Sequence, residues 1–84
     1  MNKYLITVIV PVAELEYDLY IPSNKKIGTI KAHILSSLSE LSNGSFNKKI
    51  DEVRMIDRDT GNEFKNDVYV KDSGIANGSK IIII

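Results

Sequence analysis

The chain has 84 residues, eleven Lys or Arg against eleven Asp or Glu, a formal net charge of +0 and no cysteine. That length suits one small domain with one core, and the charge balance argues against a general nucleic-acid or anionic-membrane binder, which needs a cationic excess, while leaving room for a local basic patch. Without cysteine there is no disulfide, thiolate zinc site or thiol nucleophile, and in so short a chain the absence of disulfides favours the cytoplasm.

Residues 4–10 are the first predicted strand. Ile6, Val8 and Val10 alternate with Leu5, Thr7 and Ile9; both sets are mostly apolar, as in a strand with neighbours on both sides and little water on either face. Lys3 followed by this apolar run has the outline of a secretory signal. A single lysine, a poor cleavage pattern and the β-branched content speak for a strand instead. No run reaches the 18 or more apolar residues that direct membrane insertion requires.

Pro11 stops the ladder because it has no N–H to donate. Residues 15–21 then alternate cleanly, with Leu15, Tyr17, Leu19 and Ile21 on one face and Glu16, Asp18 and Tyr20 on the other. This is the pattern of an outer strand with one wet face, paired to the first as a hairpin.

Pro22-Ser23-Asn24 ends that strand, and Ser23 or Asn24 is expected to cap a helix over residues 25–41. Ile27, Ile30, Ile34, Leu38 and Leu41, widened by Leu35, recur every three or four residues as an apolar stripe. Lys25, Lys26 and Lys31 fall off the stripe and gather near the helix start, with Lys48 and Lys49 as further candidates for the same cluster. Asn43-Gly44 supplies a left-handed stop.

Phe46 is expected under the helix end and residues 52–56 as a third strand with Val53 and Met55 inward. A turn follows over 57–62, then the start of a short fourth strand at Glu63-Phe64. Val68 and Val70 pack next. Turns at 72–74 and Asn77-Gly78 flank Ile75, which plugs the core, and residues 80–84 close the sheet. There is no internal repeat, linker or low-complexity tract, so residues 1–84 are expected to form a single domain.

Two strands, one long helix and further strands is the plan of a ubiquitin-like β-grasp domain. The expected fold is α+β, with a mixed four- to five-stranded sheet and the helix packed on one face. Ile21-Pro22-Ser23, Ile27 and 30–34 resemble the strand-to-helix passage of ubiquitin, and 51–56 resembles its third strand. Tyr17-Asp18-Leu19-Tyr20-Ile21-Pro22, Lys26-Ile27 and the 72–78 turn also resemble the YukD/EsaB family, the small ubiquitin-like proteins of Gram-positive type VII secretion loci. That resemblance implies a bacterial, cytoplasmic, non-enzymatic accessory of WXG100 secretion. Its partners would be proteins, membrane components of the secretion machine among them. The chain departs from the family in a longer turn over 57–63.

Chemistry is sparse. Adenylation and conjugation need a flexible glycine tail, whereas this sequence ends on a strand pattern and contains no Gly-Gly, so an unconjugated module is expected. His33 has no acidic residue three or four positions away, so a solvated histidine outweighs a base or metal ligand. Asp57-x-Asp59-x-Gly61 lacks most of a calcium loop and reads as a plain turn. No cofactor is expected.

Apolar residues without an inward role carry the functional reading. If Ile81 and Ile83 face the helix, then Ile82 and Ile84 face outward, together with Ile56 and Leu5, and Ile9 is a further candidate. The same face carries the partner-binding patch in ubiquitin. The expected partner-binding residues are Leu5, Ile56, Ile82 and Ile84, with Lys25 and Lys26 as a basic alternative for an acidic partner. The rival reading is a self-associating structural module, a homo-oligomer through the isoleucine face.

Overall fold

Apolar residues at alternate positions make residues 3–22 a hairpin. The structure, a computed structural model, describes residues 2–84. Strand β1 (Lys3–Val10) and strand β2 (Leu15–Pro22) pair antiparallel in unbroken register from Lys3 opposite Pro22 to Val10 opposite Leu15. A single 3₁₀ turn, Pro11–Ala13, joins them, and Glu14 closes it in a left-handed conformation at φ 53°.

Helix α1 (Ile27–Leu41) crosses one face of the sheet. Strand β3 (Met55–Asp57) and strand β4 (Lys80–Ile83) complete it in the order β2-β1-β4-β3. The β1–β4 pair is parallel and the β3–β4 pair antiparallel. The sheet is therefore mixed and four-stranded, as the α+β plan requires.

Alternation decides which side chains meet the helix. Ile6, Val8 and Val10 of β1, Ile21 of β2, Met55 of β3 and Ile81 and Ile83 of β4 are buried with Ile27, Ile30, Ile34, Leu35 and Leu38 of α1. Phe46, Val53, Phe64, Val70 and Ile75 seal the ends of this core. Leu5 and Ile9 are only partly buried. The expectation of a strand dry on both faces therefore fails for β1, because no second layer covers its outer side.

The helix begins later than its pattern suggests, and without a side-chain cap. Lys26 is the residue before its first turn, and neither Ser23 nor Asn24 caps it. Ser23 instead extends the hairpin, donating its N–H to the Asn2 carbonyl at 2.7 Å, while its own carbonyl accepts the Lys71 N–H. The free first-turn N–H groups are satisfied by backbone. Ile27 N–H donates to Val68 O at 2.8 Å and Gly28 N–H to Asn66 O at 2.9 Å. Gly28 allows that approach, since a Cβ there would lie 3.2 Å from Asn66.

Three further expectations are corrected. Leu41 is 57% exposed, and the chain turns away just after it at Asn43 (φ 54°) and Gly44 (φ 82°). Lys31 is only 4% exposed. It stands one turn after Ile27 and one turn before Leu35, which puts its stem on the apolar stripe. Glu63-Phe64 forms no strand; Glu63 makes one isolated bridge to Ile56, and the chain leaves the sheet once Phe64 has entered the core.

Candidate interaction surface

On the sheet face away from α1, outward side chains form rows that follow from the register. In one row Glu16 of β2 stands opposite Ile9 of β1, Ile9 opposite Ile82 of β4, and Ile82 opposite Ile56 of β3. Ile84 lies two positions along from Ile82 and is 52% exposed. Its backbone exchanges two hydrogen bonds with Arg54, at 2.7 and 3.1 Å, which carries the β3–β4 ladder one pair past the strand ends. Ile9, Ile82, Ile56 and Ile84 thus form one continuous apolar strip across three strands.

The strip has a polar border. Glu63, bridged to Ile56, holds the Arg54 guanidinium at 3.0 Å on the outer side of β3. The next row across the sheet is Asp18, Thr7 and Lys80, with the Thr7 hydroxyl donating to Asp18 Oδ1 at 2.8 Å. An apolar centre ringed by polar and charged groups has the anatomy of a protein interface.

Leu5 does not join this strip. It pairs with Tyr20 on the far side of the Thr7 row, so the polar row separates two apolar areas that the sequence reading had merged. Leu5 is anchored locally. Its N–H donates to Asn77 Oδ1 at 2.8 Å and its carbonyl accepts the Gly78 N–H at 2.8 Å. The Asn77-Gly78 turn thereby docks on β1 where β4 has not yet begun.

Lys25 and Lys26 are exposed and precede the helix. Lys26 makes an isolated bridge with Tyr69, and the ammonium groups of Lys26 and Lys71 lie 5.8 and 5.9 Å from the centre of the Tyr69 ring. Lys71, distant in sequence, thus joins Lys26 at the Tyr69 ring. Lys31 turns inward, its Nζ donating to Ile50 O at 3.0 Å and Asn66 Oδ1 at 3.2 Å. Desolvation lowers the Lys31 pKa, partly offset by the negative charges of Glu63 and Asp51.

His33 is exposed on the helix. Among the described residues no group of three or more His, Asp or Glu could hold a metal ion. The Asp57 carboxylate accepts the N–H groups of Asp59 and Thr60, at 2.8 and 3.2 Å, and so spends one oxygen on making its own turn. Among the described residues no helix is long and apolar enough to cross a membrane.

The chain resembles several solved structures throughout its length. A ubiquitin-like domain from Arabidopsis thaliana matches over 100% of this chain and 78% of its own, with a TM-score of 0.72 and 15% identity. The N-terminal ubiquitin-like domain of the 4931431F19Rik protein matches over 99% and 74%, with a TM-score of 0.71 and 16% identity. A ubiquitin from Caldiarchaeum subterraneum matches over 98% and 91%, with a TM-score of 0.70 and 17% identity. No protein-family profile matches the chain, and no curated protein does. At such identities the likeness establishes the fold: this is a ubiquitin-like β-grasp.

Proposed function

We propose that this chain is a non-enzymatic protein-docking module whose partner seats on the Ile9–Ile82–Ile56–Ile84 strip. One observation carries the reading. A single helix covers one face of the sheet and leaves a bordered row of isoleucines on the other. Apolar rows of this kind gain most by excluding water against a second apolar surface. We read the module as unconjugated, as its resemblance to the YukD/EsaB proteins implies.

The resemblance of residues 17–22, 26–27 and 72–78 to the YukD/EsaB proteins supports a more specific role. We infer a cytoplasmic accessory of type VII secretion, whose partner is a protein of that machinery. The test is affinity purification from the native organism with the wild-type chain and with Ile56→Asp and Ile82→Asp, each checked for native circular dichroism. Co-purification of secretion components that both variants abolish is the expected result. Unchanged capture by folded variants removes the strip as the docking site, and capture of unrelated proteins removes the secretion role. If the strip pairs with itself, light scattering of the purified chain will show mass rising with concentration, and the same substitutions will restore a monomer.

A further inference from the structure

Strand β2 is an edge, bonded to β1 alone. The phase of its backbone follows from one bond. Ser23 N–H donates to Asn2 O, and this pair continues the register in which Lys3 faces Pro22. In an antiparallel ladder, bonded and non-bonded pairs alternate. The backbone groups of Tyr17, Leu19 and Ile21 therefore point to β1, and those of Glu16, Asp18 and Tyr20 point away from it. The opposite side of β1 agrees, since Thr7 N–H and Leu5 O bond toward Ser79 and Gly78. Three residues of a regular strand thus offer N–H and carbonyl groups to the outside. The register has no bulge, and the one proline of β2 stands at its last position, so the only blunting groups along the rest of this edge are the charges of Glu16 and Asp18.

Beside this edge runs a groove of about 370 Å³ between β2 and α1. Leu19, Tyr20 and Pro22 line its strand side over the buried Ile21 and Ile30, and His33, Ser37 and Glu40 belong to the helix side. A strand added to β2 would send alternate side chains into this groove and the others to the outer face, beside Glu16, Asp18 and Tyr20.

Charge selects the occupant. Glu16 and Asp18 are exposed, and neither has a cationic partner within ion-pair distance among the described residues. Tyr20 is 66% exposed and presents a ring that a guanidinium can stack on. Glu40 adds a carboxylate on the groove side. The outer-face cations nearest Glu16 and Asp18 are Lys3, at the Pro22 end, and Lys80, two strands in from the edge; Arg54 lies beyond them, paired with Glu63. A second copy of this chain is disfavoured, because antiparallel pairing of two β2 edges collects both sets of Glu16 and Asp18 on one face.

We propose that the open edge of β2 and the β2–α1 groove take an extended peptide strand in which apolar side chains alternate with arginine or lysine. This site is separate from the isoleucine strip, and its occupant is captured by backbone pairing and charge.

The test is selection of random peptides displayed on phage against the whole chain, followed by amide chemical-shift mapping with a selected synthetic peptide. Enrichment of alternating apolar and basic residues is expected, with shifts at Glu16, Asp18, Tyr20 and Ser37 and binding that weakens as salt rises. The double variant Glu16→Lys, Asp18→Lys should weaken that peptide by roughly tenfold or more and redirect selection to alternating acidic peptides. Tyr20→Pro, which removes an outward N–H without touching the β1 ladder, should also abolish binding, while Ile56→Asp should leave it intact. Acidic or proline-rich winners, no winner at all, shifts confined to the Ile56–Ile82 strip, or equal binding of a synthetic peptide with the selected sequence scrambled would each overturn the proposal.

Discussion

Ile56 and Ile82 are direct partners across the antiparallel β3–β4 ladder, on the face that the helix leaves uncovered. Their neighbours Met55, Ile81 and Ile83 are fully buried on the other face. Adjacent residues of one type thus occupy opposite environments, and this asymmetry can be measured.

Ile81→Ala should destabilise the fold by about 2–5 kcal/mol, through lost burial and the cavity left behind. Ile82→Ala should cost only about 1 kcal/mol, mainly through strand propensity and the cross-strand contact. Urea midpoints of the two variants provide the comparison. Equal losses would mean that both faces of β4 are covered.

Lys31 carries a pH signature. Its folded-state pKa is lowered by desolvation, so the unfolded chain holds that proton to higher pH. Between the folded value and the ordinary lysine range the unfolded state binds more protons, and stability from this group rises with pH. Below that window the contribution is a constant cost, and above it the curve is flat. Relative to Lys31→Met, the wild type should therefore gain stability as pH climbs toward the ordinary lysine pKa. A difference between the two proteins that stays level across this range would show Lys31 to be solvated.

The Tyr17 hydroxyl is buried with no hydrogen-bond partner among the described residues, and desolvation raises its pKa. An unpaired buried hydroxyl is a cost. Tyr17→Phe should leave stability unchanged or raise it by up to about 1 kcal/mol. Thermal melts decide this; a marked loss would reveal a partner for the phenol.

Asn77 substitutes for a missing stretch of β4 by accepting the Leu5 N–H through its side chain. Asn77→Ala should cost about 1 kcal/mol and speed exchange of the Leu5 amide, whereas Asn77→Asp should retain the bond. Unaltered Leu5 exchange in the alanine variant would assign that N–H another acceptor.

Local signals in the sequence located β1, β2, α1 and β4, whereas the third strand expected over 52–56 lies at Met55–Asp57 and Glu63-Phe64 forms none. A β-branched apolar run defined β1, period-two alternation defined β2, the three-and-four spacing defined α1, and Asn43-Gly44 and Asn77-Gly78 marked turns. The outward set on β4 was equally legible, because alternation from Ile81 forces Ile82 to the other face. Lys31 was misread although its position between Ile27 and Leu35 was visible, since a charge was weighed above its place on the helix.

Some features have no local cause. The helix start depends on carbonyls of Asn66 and Val68, the basic cluster on Lys71 and Tyr69, and the separation of Leu5 from Ile82 on which rows of β1 and β4 lie abreast. Amino-acid order by itself determined the periodicity of each segment, because backbone geometry repeats over a few residues. Only the tertiary structure decided which outward side chains became neighbours, because the register between β1 and β4 is set by packing between opposite ends of the chain.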